Sequence, residues 1–134
     1  MLMDSEKIIS LKKLSFVNLY TPNFDKLIHF YRDVLGLNAF PDNKGNWFGF
    51  CTGETTFALE PKENRKSYDF EFNKDNPILL QFCVDSIKEL EILTQSLEKK
   101  GVKIKQKLQK KNYGTITTFL DSDNNVIELL VQEK

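Results

Sequence analysis

Histidine is the commonest metal ligand and proton shuttle, and this sequence contains one, His29. It stands just before Phe30-Tyr31 in a helix-like segment, off the apolar stripe, which places it at the surface or a rim. A site of two histidines and one carboxylate for iron therefore cannot form within one chain. Asp121, Asp123 and Asn125 open like a calcium loop. Such a loop needs glycine at its sixth position and glutamate at its twelfth, and Val126 and Gln132 stand there. The segment reads instead as a turn, with Asn124 and Asn125 supplying the turn conformations. Cys51 and Cys83 have no evident base or cation to make a thiolate and read as packing residues. Two cysteines are too few for a disulfide framework, so a reducing, cytoplasmic setting is expected.

The elements that must position these groups come from an ordinary globular composition. Of 134 residues, 40% are hydrophobic and 28% charged, and 19 basic residues balance 19 acidic ones. Zero net charge leaves no electrostatic footprint for nucleic acid or an anionic membrane. No apolar run approaches the roughly 20 residues of a membrane span. The first residues alternate charge and apolar side chains and lack a signal-peptide core.

One grammar occurs twice along the chain. Residues 14–60 begin with the strand-like LSFVNLYT, turn at Pro22-Asn23, and continue as FDKLIHFYRDVLG, a helix with Phe24, Leu27, Ile28, Tyr31 and Leu35 on one stripe. Gly36 sits where a helix end favours positive φ. Strands follow near 38–40, 46–51 and 55–60. Residues 77–132 begin with ILLQFCVD. Ser86 and Glu89 then form a capping-box pattern, and Ile87, Leu90, Leu93 and Leu97 make the next stripe. Gly101 ends that helix, 65 residues after Gly36. Strands follow at 102–107, 114–120 and 126–131. The fold expected is α+β: two βαβββ modules in a single domain spanning 1–134, forming a curved, cup-like mixed sheet with helices on the outer face. The charged stretch 61–76 reads as a linker, or as a lid carrying Tyr68, Phe70 and Phe72.

The repeat resembles the vicinal oxygen chelate superfamily, which includes glyoxalase I, the bleomycin-resistance proteins and the extradiol dioxygenases. The residues that carry the resemblance are HFYRDVLGL (29–37) and TTFLDSDNNVIELL (117–130). It implies that the two modules enclose a ligand cup and that chains pair as homodimers. In metal-dependent members, four strand positions supply His or Gln, Glu, His and Glu. Those positions fall on Phe16, Glu60, Leu79 and Glu128, with the register of Glu60 open. Phenylalanine and leucine cannot ligate, and a catalytic divalent metal needs three or four protein ligands. The expectation is no metal and no cofactor.

With Phe16 and Glu128 taken as facing the cup, strand alternation turns Asn18, Tyr20, Gln81 and Cys83 the same way. The expected ligand-binding set is Phe16, Asn18, Tyr20, Trp47, Phe48, Glu60, Leu79, Gln81 and Glu128. Trp47 or Phe48 would stack on a planar ligand, unless these aromatics only fill the sheet core. An apolar lining with a few polar groups suits a small molecule. Three functions are weighed: a metal-independent small-molecule-binding protein, an enzyme of the lyase or dioxygenase type, and a stress or regulatory protein whose cup is filled by its own aromatics. If the chain catalyses a reaction, Glu128 is the residue placed to serve as acid or base.

Overall fold

A computed structural model describes residue 11 and residues 13–62 and 78–133. The expected connector at 61–76, with Tyr68, Phe70 and Phe72, lies outside the described residues except for Pro61 and Lys62. The first module comprises β1 (Phe16–Thr21), α1 (Phe24–His29), β2 (Asn38–Ala39), β3 (Phe48–Cys51) and β4 (Thr56–Pro61). The second comprises β5 (Leu79–Cys83), α2 (Ile87–Lys99), β6 (Ile104–Lys111), β7 (Gly114–Leu120) and β8 (Val126–Gln132). Each folds into a four-stranded mixed sheet with the same order, β1-β4-β3-β2 and β5-β8-β7-β6. The first strand of each pairs parallel to the last, and the remaining pairs are antiparallel. The chain is thus α+β with two βαβββ modules.

Alternation decides which face each strand buries. Val17 and Leu19 on β1, Phe57 and Leu59 on β4, and Phe48 and Phe50 on β3 turn toward the helices and the core. In the second module, Leu80, Phe82, Phe119, Ile127 and Leu129 do the same. One hydrophobic cluster draws on both modules, joining Leu27 and Tyr31 to Leu90, Leu97 and Phe119. A module of about 50 residues is too small to bury an adequate core by itself, and the shared cluster resolves that.

The two helices differ. Ser86 caps α2, its Oγ accepting from the Glu89 amide at 3.1 Å. The first helix widens into a π-helical turn at Phe30–Val34, where the Leu35 amide donates to the Phe30 carbonyl at 2.8 Å. That extra residue per turn rotates the face, so that adjacent Phe30 and Tyr31 are both buried. Both helices end at a glycine of positive φ, Gly36 at +88° and Gly101 at +76°, as the spacing predicts. Among the described residues, no helix is long and apolar enough to cross a membrane.

The modules are locked by a buried polar knot. The Asp121–Asn125 segment is a turn, with Asn124 at φ +64°. Its carboxylates point inward instead of toward a cation. Asp121 Oδ1 accepts from the amides of Asp123 and Asn125 at 2.8 and 2.9 Å. Its Oδ2 accepts from the Tyr31 hydroxyl at 2.6 Å and Asn125 Nδ2 at 2.8 Å. Asp123 accepts from the Thr21 hydroxyl at 2.5 Å and from Asn23 Nδ2 at 2.9 Å. The first module therefore supplies hydroxyl and amide donors, and the second supplies carboxylates. Burial pushes the Asp121 carboxyl up from its usual range, against the pull of its donors. Burial also raises the Tyr31 hydroxyl well above its ordinary value, with the Asp121 charge adding to the effect.

Candidate functional site

The sheet faces turned away from the helices form two half-cups, and they are built differently. In each, one row of three residues crosses the sheet. In the first module, the ladders align Asn18 with Ala58 and Ala58 with Gly49. In the second they align Gln81 with Glu128 and Glu128 with Thr118.

In the first half-cup, Gly49 and Ala58 leave a flat floor, and Trp47 lies on it. A Cβ built on Gly49 would come within 2.4 Å of the indole ring and 2.7 Å of the Phe40 ring. Phe40 stacks on Trp47 with centroids 6.3 Å apart and ring planes 11° apart. Phe16 meets the indole edge-on at 6.3 Å. Trp47 Nε1 donates to Asn18 Oδ1 at 3.1 Å. Phe16 and Tyr20 remain about half exposed, at 54% and 47%, and the Lys62 ammonium sits 5.2 Å from the Tyr20 ring centroid.

In the second half-cup the row is polar. Glu128 is nearly buried, at 9% exposure. Its Oε1 accepts from Gln81 Nε2 at 2.7 Å and its Oε2 from the Thr118 hydroxyl at 3.2 Å. Each carboxylate oxygen keeps acceptor capacity beyond these bonds. A pocket of about 420 Å³ opens over Glu128, with Leu79, Val126 and Ile116 as apolar wall. Lys105, Gln106, Gln109 and Lys111 of β6 form its far side. The lining is an open concavity with more polar than apolar surface, in which the hydrocarbon wall faces a polar strand.

The structure thus separates the candidate residues into two groups. Phe16, Asn18 and Trp47 are together in the first module, with Tyr20 and Glu60 adjacent as ladder partners. Leu79, Gln81 and Glu128 are together in the second. Among the described residues, no hydrogen bond or ring contact joins the two groups. Phe48 requires a correction. It pairs with Leu59 and packs its ring 5.2 Å from Phe50, on the core face, because alternation turns it opposite to Gly49. The register of Glu60 is also resolved. Counting from the first pair of each parallel ladder, the counterpart of Glu128 is Ala58, and Glu60 lies two residues further on. Cys51 and Cys83, expected to pack, are both exposed, since each ends a strand on the cup-facing side. His29 is exposed, as expected, with Nδ1 2.9 Å from Asp33 Oδ2. The hydrogen bonds from Arg32 hold the Asp33 carboxyl down to about 2, opposed by desolvation and assisted by His29.

Thr118, Lys105 and Lys111 are pocket residues that the sequence reading misses. Thr118 could have been found by pairing the last two strands across the Asp121–Asn125 turn. The β6 lysines could not, for reasons of register given below.

A metal centre of the superfamily's type does not fit these residues. Hydrocarbon side chains occupy two of the four positions, alanine replaces the carboxylate of the first module, and both oxygens of Glu128 are held by Gln81 and Thr118. Among the described residues, no three His, Cys, Asp or Glu side chains group as a metal site would require.

Comparison with known proteins supplies the family. The sequence profile of the Glyoxalase/Bleomycin resistance protein/Dioxygenase superfamily matches residues 13–129. The uncharacterized protein YraH of Bacillus subtilis (strain 168) is 29% identical over 126 residues, covering 87% of this chain and 96% of that protein. A glyoxalase/dioxygenase from Nostoc punctiforme superposes with a TM-score of 0.76 at 17% identity, covering 100% of this chain and 97% of the other. TnmS3, an antibiotic binding protein from Streptomyces sp. CB03234, superposes with a TM-score of 0.69 at 17% identity over 93% of this chain and 99% of that one. At such identities the superpositions establish the fold, while the profile spans nearly the whole chain: this protein belongs to the glyoxalase/bleomycin resistance/dioxygenase superfamily.

Proposed function

We propose that this protein binds a small organic molecule, apolar or aromatic in its body, in the half-cup of the second module, and does so without a metal. The observation that carries the reading is Glu128, held by Gln81 and Thr118 beneath a pocket of about 420 Å³. A nearly buried carboxylate with spare acceptor capacity favours a ligand that brings a donor. The antibiotic-binding relative of the same fold makes sequestration a reasonable role. The test is a thermal-shift and calorimetric screen of one- and two-ring phenols and amines. Hits should lose about tenfold or more in affinity with Glu128→Gln, as expected when a hydrogen bond to a charged acceptor is weakened. Failure of every such compound to shift the melting temperature, or hits indifferent to Glu128→Gln, would remove the reading.

A second reading has its own support. Trp47 fills the first half-cup from within, which favours a half-cup with a packing role alone. Homodimer formation is a further part of the proposal, because it would cover the half-exposed Phe16 and Tyr20. Sedimentation velocity giving only monomer at micromolar concentration would remove it.

A further inference from the structure

The two sheets are not joined by a ladder, because β1 and β5 are both outer strands. At the seam between them the modules leave a cavity of about 570 Å³, larger than the one over Glu128. Val17 of β1, Phe57 of β4, and Leu80 and Phe82 of β5 form its walls. The rings of Phe57 and Phe82 meet edge-on across the seam, with centroids 6.0 Å apart. The cavity shares no lining residue with the pocket over Glu128.

Two features of the lining select what it would take. Although 28% of the chain is charged, the lining holds no Lys, Arg, His, Asp or Glu, and its surface is mostly apolar. An ionic ligand would lose its water there without gaining a partner, so the cavity favours an uncharged, largely hydrocarbon molecule. The second feature is a pair of thiols. Cys51 ends β3 in the first module and Cys83 ends β5 in the second, and both border the cavity and are exposed. An accessible thiol can react, whereas a buried structural one is inert. Cys83 also borders a smaller concavity beside α2, against Ile92 and Leu93, so Cys51 is the thiol that marks the seam.

We propose that the seam cavity binds an uncharged α,β-unsaturated ketone with a hydrocarbon tail, and that the bordering thiols capture it covalently. The thiolate sulfur forms a bond to the β-carbon, the carbon–carbon double bond opens to an enolate, and the enolate takes a proton from water in place of the one the thiol gave up. Nothing is oxidised or reduced. An enone also suits the lining because no leaving group has to depart as an ion through uncharged walls. Cysteine is nucleophilic at neutral pH even with no base beside it, so the protein's part is to hold the enone near sulfur. This site stands independently of the reading of Glu128.

The probes are methyl vinyl ketone and 1-octen-3-one, which share the reactive group and differ in the length of the alkyl tail. Free glutathione gives the ratio of their rates for a thiol with no cavity. Each buried methylene is worth up to about fourfold, so even partial burial of the longer tail should raise the ratio of 1-octen-3-one to methyl vinyl ketone about tenfold or more above that of glutathione. Intact-mass and peptide mapping of the full chain should find the adducts on Cys51 and Cys83, each gaining the whole mass of the enone. Cys51→Ser and Cys83→Ser should each lose one adduct. Octan-3-one, which lacks the double bond and cannot add, should slow the labelling by 1-octen-3-one. A raised ratio at Cys51, with or without Cys83, supports the proposal. A ratio equal to that of glutathione, or labelling indifferent to octan-3-one, overturns it by showing thiols that are merely exposed. A raised ratio confined to Cys83 overturns the assignment to the seam and moves the site beside α2.

Discussion

Ala58 and Gly49 in the first module occupy the places that Glu128 and Thr118 hold in the second. The strand order is the same and the row across the sheet is the same, yet one floor is bare and the other polar. On the bare floor a tryptophan from the turn that leads into β3 lies flat and finds its acceptor in Asn18. On the polar floor no ring could lie so close, because a carboxylate must keep its donors, and a pocket stays open. The neighbour on the first strand follows suit: Asn18 serves the indole, whereas Gln81 serves the carboxylate. Two or three side-chain choices thus decide whether a half-cup of this fold is closed by its own chain or left open. Substitutions along the two rows should accordingly cost stability in the first module and binding in the second.

Among the polar contacts, the largest effect is expected where the halves are joined. Asp121→Ala leaves the Tyr31 hydroxyl, the Asn125 amide groups and the Asp123 amide without their acceptor, and should destabilise by about 3 kcal/mol or more in urea unfolding. Tyr31→Phe removes one donor and should cost about 1–2 kcal/mol. A loss below 1 kcal/mol for Asp121→Ala would mean the knot does not hold the modules together. The same pair gives a pH dependence. The Tyr31 hydroxyl titrates higher in the folded protein than in the unfolded chain, so its contribution is complete below its unfolded value of about 10 and is lost as pH rises beyond it. Stability should fall above about pH 10, and less steeply in Tyr31→Phe. Asp121, also raised, favours the folded state most when protonated, so part of its contribution is lost as pH rises out of the acid range.

The next effect separates the rows directly. Trp47→Ala exposes Gly49 and Ala58, strands Asn18, and should cost about 2–3 kcal/mol, somewhat less than a fully buried tryptophan. Gly49→Ala should cost about 1 kcal/mol through overpacking and shift Trp47 emission to the red as the indole is pushed off the floor. Glu128→Gln, by contrast, should change stability by less than about 1 kcal/mol, because glutamine can still accept from Gln81 or Thr118, and should act on ligand affinity instead. If Trp47→Ala were silent in unfolding and Glu128→Gln severe, the assignment of a closed and an open half-cup would be reversed.

How much of this was readable from the sequence follows from the same residues. The βαβββ repeat was, because alternation on β1 and β5 is clean and Gly36 and Gly101 punctuate both helices. The cup-facing parity of Asn18 and Gln81 followed from that alternation, given the positions of Phe16 and Glu128 that the resemblance supplies. Phe48 did not, because a four-residue strand beginning beside a turn gives no parity of its own, and pairing with Leu59 decides it. Tyr31 reads as one more apolar stripe residue, since periodicity cannot reveal that its hydroxyl ends on Asp121 ninety residues later. The acidic turn reads correctly as a turn, but the distant donors that bury its carboxylates are a matter of tertiary structure. Strand β6 was the least legible. Its IKQKLQKK alternates nowhere cleanly, because two bulges interrupt the period, and so a pocket wall looks like a solvated charge run.

That strand also gives the smallest expected effect. Leu108 at φ +51° is partly exposed, so removing its side chain forfeits little burial, while glycine adopts that backbone freely. Leu108→Gly should therefore be neutral or stabilising by up to about 1 kcal/mol, the opposite sign to most strand-to-glycine changes. The first module offers the control. Phe50→Gly on β3, at ordinary φ and fully buried, should cost about 4 kcal/mol or more. If Leu108→Gly destabilised by more than 1 kcal/mol, the bulge would be held by contacts of the leucine side chain. In that case the β6 side of the pocket would owe its shape to Leu108 packing, and the contrast between an open half-cup in the second module and a self-filled floor in the first would have to be drawn at that residue.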